Sequence, residues 1–142
     1  MKEVKSVRVK DVMKQDFDLV DGIMTVAEAL KEMRNPHTGA FIVNKRSTND
    51  EYGIVMLSDI AKKVLAKDRS PARVNVYEIM SKPVLGVSPH MDIRYCARLF
   101  DRFGLSLAPV IDAGHVVGVV SYTDMVIQGM LNEWLDDNEM RE

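Results

Sequence analysis

The stretch GIVMLSDI at residues 53–60 returns as GVVSYTDM at residues 118–125. In both, a glycine, two β-branched residues, three variable positions and an aspartate follow one another, and the aspartates are Asp59 and Asp124. A short β-branched run followed by a helix-like pattern predicts a strand that leads directly into a helix. Two such segments in register indicate that the chain carries an internal repeat.

The repeat extends upstream of these segments. VKDVM at residues 9–13 is answered by VYEIM at residues 76–80, and residues 25–33 and 92–100 both show the apolar spacing of an amphipathic helix. Thr25 and Asp92 are suited to cap these two helices, and Glu28 completes a capping box with Thr25. Short apolar runs then predict paired strands at 40–43 with 52–56, and at 108–111 with 116–120.

These elements predict a mixed α/β (α+β) fold made of two tandem β-α-β-β-α repeats. The predicted organisation is repeat one at 7–66, a polar connector at 67–75, repeat two at 76–131 and an acidic C-terminal tail at 132–142. A unit of about 60 residues buries little apolar surface by itself. We therefore expect the two repeats to pack sheet to sheet with pseudo-twofold symmetry.

Composition narrows the class of protein. The 142 residues include 19 basic and 21 acidic side chains, and the basic ones form no stripe, so no nucleic-acid partner is expected. No apolar run approaches the roughly 20 residues that span a bilayer, and the polar N-terminus has no signal-like apolar stretch. We expect a cytoplasmic protein without a membrane partner.

The ordered motifs resemble a known family, the tandem CBS domain pair or Bateman module. The resemblance rests on the openings at Val9 and Val76, the strand APVID at 108–112 and the two glycine-to-aspartate segments, and it covers nearly the whole chain. It implies a module that binds adenosine-containing ligands, such as AMP, ADP, ATP, S-adenosylmethionine or NAD, in clefts between the repeats. It also implies a tendency to dimerise.

The main candidate site contains Asp124, whose carboxylate can accept hydrogen bonds from both hydroxyls of a ribose. Ser121 and Thr123 add hydroxyls beside it. The resemblance implies that the opposite repeat holds the adenine, through Val20, Met24, Thr38, Gly39 and Ala40. The alternative is that Asp124 and Ser121 only cap a helix, as such residues commonly do.

A second candidate site combines Ser58 and Asp59 with Met91, Ser106 and Leu107. Here Met56 stands where the other copy has Ser121, so we expect this pocket to be empty or to prefer a less polar ligand. The resemblance also implies a basic residue before the first paired strand in phosphate-binding relatives. Those positions hold Gly39 and Leu107, which argues against a polyphosphate ligand.

No arrangement typical of catalysis or metal binding occurs in the sequence. The three histidines are far apart, and the single cysteine, Cys96, falls on the predicted buried face of its helix. We predict a regulatory ligand sensor that is not an enzyme, needs no cofactor, forms a homodimer and acts on an unidentified regulated protein. The alternative is a dimerisation or protein-interaction module that binds no nucleotide, which Met56 favours.

Overall fold

The computed structural model describes residues 6–82 and 84–135, and of Glu133 it describes the backbone alone. Of the acidic tail predicted at 132–142, the residues from 136 onward lie outside the described part of the chain. Contacts between residues divide the chain into two compact units. The Asp59 unit comprises residues 16–82 and Val84, and the Asp124 unit comprises residues 6–15 and 85–135.

The elements alternate between short helices and short strands along the chain. In order they are α1 (Val9–Val12), β1 (Asp18–Val20), α2 (Val26–Glu32), β2 (Ala40–Val43), β3 (Gly53–Met56), α3 (Leu57–Ile60), α4 (Val76–Ile79), α5 (Ile93–Phe103), β4 (Leu107–Asp112), β5 (His115–Ser121) and α6 (Tyr122–Asp124). Two 3-10 turns lie at Pro36–Thr38 and Pro71–Arg73, and π-helical segments at Ala61–Leu65 and Met125–Trp134 continue α3 and α6. The mixed α/β prediction is confirmed.

The Asp59 unit contains a three-stranded sheet in the order β1-β2-β3. Strands β1 and β2 are parallel, and β2 and β3 are antiparallel with Ala40 opposite Met56. Helix α2 begins as predicted, because Thr25 and Glu28 form the reciprocal capping box. The apolar spacing of Val26, Ala29, Leu30 and Met33 predicts one buried face, but Leu30 is 40% exposed, whereas Val26 and Ala29 are buried and Met33 packs against the same core.

The Asp124 unit pairs β4 with β5 in antiparallel fashion, with Leu107 opposite Ser121. Val87 forms a parallel bridge to Val110, in the position that β1 has in the other unit. Asp92 caps the start of helix α5, because its carboxylate accepts a hydrogen bond from the Arg94 amide at 2.8 Å. The strand and helix order of the second repeat is therefore the predicted one.

The compact units do not coincide with the repeats read along the sequence. Helix α1, from repeat one, lies in the Asp124 unit, where the Val9 amide donates to the Met91 carbonyl at 2.8 Å. Helix α4, from repeat two, lies in the Asp59 unit, where the Val76 amide donates to the Met24 carbonyl at 2.8 Å. Each repeat thus contributes its opening helix to the other unit's core, since both valines are buried.

The predicted polar connector at 67–75 also has a structural role. Val74 is buried in the core of the Asp59 unit, and its carbonyl accepts a hydrogen bond from the Val26 amide at 2.8 Å.

Among the helices of residues 6–82 and 84–135, none combines the length and apolar character of a membrane span.

Candidate ligand-binding site

The turn from β5 into α6 places Asp124 in a polar, nearly closed environment. The Asp124 Oδ2 atom accepts hydrogen bonds from the Ser121 amide and the Ser121 hydroxyl, both at 2.9 Å. In return, the Asp124 amide donates to the Ser121 Oγ atom at 3.2 Å. Only 4% of Asp124 is exposed. The capping role considered from the sequence is therefore formed, and it fixes the orientation of the carboxylate.

The other carboxylate oxygen of Asp124 faces a lysine. Lys14 Nζ donates to Asp124 Oδ1, and a third of the lysine side chain is exposed. The Lys14 backbone is anchored to β5 by two hydrogen bonds with Val119, at 2.8 and 2.9 Å. Lys14 was not among the predicted site residues, and it lies 110 positions from Asp124. The signal that could have found it is that Lys14 follows the first opening motif where Ser81 follows the second.

Asp59 has the same backbone setting but different neighbours. Its Oδ2 atom accepts from the Met56 amide at 2.9 Å, as Asp124 does from Ser121. Ser81 bonds to Ile54 through both its amide and its carbonyl, as Lys14 does to Val119. Within the described residues, Asp59 Oδ1 has no hydrogen-bond or ion-pair partner, and Asp59 is half-buried. Asp59 therefore accepts the backbone hydrogen bond that Asp124 also accepts, but it has no counterpart of the Ser121 hydroxyl or the Lys14 ammonium among the described residues.

The glycines of the two repeated segments allow this anchoring. A Cβ atom at Gly118 would lie 2.6 Å from the Lys14 carbonyl oxygen, and one at Gly53 would lie 3.3 Å from the Ser81 carbonyl oxygen. Real Cβ atoms do not tolerate the shorter approach. Glycine is therefore needed at Gly118, where the segment after α1 joins β5, and it relieves a tight approach at Gly53, where the segment after α4 joins β3.

The other predicted residues are divided between the two units. In the Asp59 unit, the Gly39 carbonyl accepts a hydrogen bond from the Leu57 amide at 2.9 Å, which brings residues 38–40 close to the turn that carries Ser58 and Asp59. The Thr38 hydroxyl is used internally, since it donates to the Asn35 carbonyl at 2.8 Å. Gly39 has a φ of 75°, so a left-handed backbone explains the glycine, and no described atom lies within 4 Å of a Cβ placed there.

In the Asp124 unit, the corresponding strand entry meets the Asp124 turn. Leu107 pairs with Ser121, and the Tyr122 amide donates to the Ser106 carbonyl at 3.3 Å. Thr123 is exposed. The remaining predicted contacts lie in one unit each, Val20 and Met24 in the Asp59 unit and Met91 in the Asp124 unit. Both predicted sites draw on residues of both units, and their assembly stays a prediction.

Cys96 is fully buried on α5, as predicted, and burial raises the pKa of its thiol to about 11. The thiol is therefore protonated at neutral pH and a poor nucleophile.

Across the described ranges 6–82 and 84–135, no three histidine, cysteine, aspartate or glutamate side chains are grouped closely enough to hold a metal ion.

A cavity of about 760 Å³ lies in the Asp59 unit, at the carboxyl ends of β1 and β2. Its walls include Lys45, Arg46, Asp50 and Lys82, with Asp50 bonded to Lys82 at 2.5 Å and to the Arg46 amide at 2.9 Å. The Lys82 ammonium and the hydrogen bonds from the Arg46 and Glu51 amides hold the pKa of Asp50 well below its usual range. The loop at 44–51 supplies most of these charges, whereas repeat two has only a tight turn there.

The family model described as CBS domain matches residues 9–66 and 76–128, which is most of the chain. The chain belongs to the CBS domain family. Its two CBS repeats form a tandem pair, as the resemblance in the sequence implied. The order of elements described above is thus the order within a CBS pair.

Several known proteins match most of this chain. An uncharacterized protein from Methanopyrus kandleri is 28% identical over 87% of the chain, which spans 63% of that protein's length. The hexameric CBS-CP12 protein from bloom-forming cyanobacteria is 35% identical, with a TM-score of 0.84 over 89% of this chain and 70% of that one. The CBS domain pair of protein MJ0100, solved with 5′-methylthioadenosine and S-adenosyl-L-methionine, has 22% identity and a TM-score of 0.73, over 87% of this chain and 95% of that one.

Proposed function

We propose that this CBS pair is a non-catalytic regulatory module that binds an adenosine-containing ligand of the AMP, ADP or ATP class. In this proposal the Asp124 carboxylate accepts the ribose hydroxyls. The observation that carries it is the environment of Asp124. Its Oδ2 atom is held by Ser121, and among the described residues its Oδ1 atom bonds only to a partly exposed lysine, Lys14. The bound state then alters an unidentified partner protein.

The chemistry of the turn suits a ribose. Ribose hydroxyls donate hydrogen bonds, and an ionised carboxylate accepts them more strongly than a neutral group does. Because Ser121 fixes the carboxylate plane before the ligand arrives, little side-chain entropy is lost on binding. The exposed Thr123 hydroxyl, one position before Asp124, is available to a further polar group of the ligand.

The fold is known to accommodate such ligands in another protein. The MJ0100 pair was solved in complex with 5′-methylthioadenosine and S-adenosyl-L-methionine, which both contain adenosine. Among the described residues here, the two repeats retain different polar groups at the equivalent aspartates, with Ser121 and Lys14 beside Asp124 only. This difference favours the Asp124 turn as the ribose acceptor.

Calorimetric titration of AMP, ADP, ATP, S-adenosylmethionine and NAD tests the proposal. Asp124→Asn should weaken binding of the preferred compound about tenfold to a hundredfold, because an amide offers one acceptor where a charged carboxylate stood. Asp59→Asn is the matched control and should change the affinity less. Wild-type protein that binds none of the compounds, or equal losses in both variants, would contradict the assignment.

A second function, self-association, is favoured by an exposed apolar surface on the last helical segment. Val126 is 48% exposed, and Ile127, Met130 and Leu131 are each at least 40% exposed. The sequence predicts apolar helix faces that need cover at Val64-Leu65 and at Met125-Val126-Met130. Val64 and Met125 are instead buried in the cores of their own units, whereas Leu65, Val126 and Met130 are exposed. The CBS-CP12 relative is hexameric.

We propose that the surface formed by Val126, Ile127, Met130 and Leu131 joins two copies of the chain in a homodimer. Light scattering at about 50 micromolar should give twice the mass of the chain, because an interface of standard size holds at that concentration. Val126→Glu with Met130→Glu should shift the mass toward the monomer. A monomeric wild type would overturn self-association while leaving ligand binding open to its own test.

A further inference from the structure

Lys14 is the residue that most clearly distinguishes the two aspartate turns. We propose that Lys14 makes the Asp124 site selective for nucleosides that carry a phosphate over uncharged nucleosides. The inference rests on the proposed function and assigns the ligand class of that same site. Lys14 acts here as a specificity residue, because its ammonium covers the carboxylate oxygen that a ribose needs.

The position of the lysine is set by its backbone. Its amide and carbonyl are both bonded to Val119 on β5, and the missing side chain at Gly118 lets the two backbones approach. The stem of Lys14 therefore starts beside the turn that carries Asp124. Its side chain is one-third exposed, whereas that of Asp124 is 5% exposed, so the ion pair joins a buried carboxylate to a lysine that solvent and ligands can reach.

Opening this ion pair has different consequences for different ligands. A neutral nucleoside that takes Asp124 Oδ1 for its ribose displaces the ammonium and offers it no other anion. A phosphate on the same ligand gives the ammonium a new counter-ion, so the charge–charge contact is exchanged and not lost. Since charge-assisted hydrogen bonds are worth about 1.5–3 kcal/mol, the phosphate should improve affinity about tenfold to a hundredfold.

The lysine stem can make this exchange without moving the backbone. Lysine has four flexible side-chain carbons and a compact ammonium, so the head group can swing by several ångströms while the stem stays anchored. Asp124 stays in place during the swing, because Ser121 still holds Oδ2 through two hydrogen bonds. The site then presents one free carboxylate oxygen and one mobile cation to the ligand.

The Asp59 turn provides a comparison inside the same chain. Its equivalent of Lys14 is Ser81, which makes the same two backbone hydrogen bonds, to Ile54, but carries no charge. If a ligand used Asp59, its phosphate would find no ammonium at that position. Phosphate selectivity is therefore expected at the Asp124 turn alone.

The test compares AMP with adenosine, which differ only in the phosphate. Calorimetry on wild type should give AMP an advantage of about tenfold to a hundredfold. Lys14→Met should reduce that advantage to about threefold or less, chiefly by strengthening adenosine, which then has no ammonium to displace. Lys14→Arg, which keeps the charge, should preserve it, and Lys10→Met, an exposed lysine of the same segment, should leave it unchanged.

Melting temperatures of all variants separate folding from specificity. Equal loss of AMP and adenosine affinity in Lys14→Met would overturn the inference while the proposed function stands, as would an unchanged preference for AMP. If Lys14→Met does not fold, loss of the AMP preference in Lys14→Arg would likewise overturn the inference. Wild-type protein that binds neither compound overturns the proposed function and this inference together.

Discussion

Asp59 and Asp124 occupy the same place in two copies of one CBS repeat, yet they have different neighbours. Each accepts a hydrogen bond at 2.9 Å from the amide three residues before it, and beside each a segment from the other repeat bridges to the preceding strand. Only Asp124 has a hydroxyl and an ammonium on its carboxylate among the described residues. Both copies thus share these backbone hydrogen bonds, which we call the backbone frame of each aspartate. The side-chain partners, Ser121 and Lys14, are found at the Asp124 frame alone among the described residues.

The largest expected effect concerns the backbone frame. Gly118→Ala places a methyl group 2.6 Å from the Lys14 carbonyl and 2.9 Å from the Met13 sulfur, so we expect the free energy of unfolding to fall by about 1–3 kcal/mol. Gly53→Ala meets the end of a flexible methionine at 3.0 Å and should cost less. Urea unfolding of both variants measures the difference. Equal losses would mean that the close approach of Lys14 to β5 is not specific to the Asp124 unit.

The next effect concerns the aspartates themselves. Asp124→Asn removes an ion pair from a nearly buried carboxylate, and we expect it to lower the free energy of unfolding by about 1–2 kcal/mol. Asp59→Asn keeps an acceptor for the Met56 amide and loses no ion pair, so the loss should be about 0.5 kcal/mol or less. Denaturant unfolding at neutral pH tests both. A larger loss at Asp59 would contradict the contrast drawn between the turns.

A smaller effect separates the N-caps of the two equivalent helices. Hydrogen bonding from the Arg94 side chain lowers the pKa of Asp92 to about 2, whereas α2 is capped by the uncharged Thr25. Because the folded pKa lies below the ordinary value of about 3.9, Asp92 stabilises the fold above about pH 4, and this contribution is lost as the pH falls toward about 2. The variant Asp92→Thr should remove that part of the acid dependence.

The cap prediction is measured as the difference between wild type and Asp92→Thr in urea unfolding at about pH 6 and about pH 3. We expect wild type to be more stable by about 1 kcal/mol or less at the higher pH, with the gap narrowing at the lower one. A gap that is constant with pH would show that the Asp92 carboxylate is not ionised by preference in the folded state.

The smallest effect comes from transferring the lysine to the other copy. Ser81→Lys places an ammonium at the position equivalent to Lys14, where Asp59 Oδ1 has no partner among the described residues. Ser81 is exposed and Asp59 only half-buried, so the new pair should add about 0.5 kcal/mol or less. A double-mutant cycle with Asp59→Asn isolates the pair. A coupling energy of zero would show that a lysine at position 81 does not reach Asp59 in the way that Lys14 reaches Asp124.

Local patterns predicted the parts of the fold that depend on neighbours in the chain. The strands, the caps at Thr25 and Asp92 and the serine cap on Asp124 all follow from residues within a few positions of one another. The exchange of α1 and α4 between the units was not predicted, because a four-residue helix carries no information about its distant partner.

The candidate site was predicted only in part for the same reason. Asp124 and Ser121 are close in sequence, so their contact could be anticipated, but the Lys14–Asp124 ion pair joins residues 110 positions apart. The charged cavity in the Asp59 unit likewise needs the loop at 44–51 to meet Lys82. Comparing the two repeats position by position, lysine against serine, is the step that would have indicated the first of these contacts.

The most direct measurement of the central claim follows backbone amide resonances by NMR while AMP is added to the wild-type chain. We predict that the largest shifts occur at Ser121, Thr123, Asp124 and Lys14, with smaller changes at Met56 and Ser58. Shifts confined to the cavity loop at residues 44–50, or no shifts at millimolar AMP, would contradict the proposed role of the Asp124 turn.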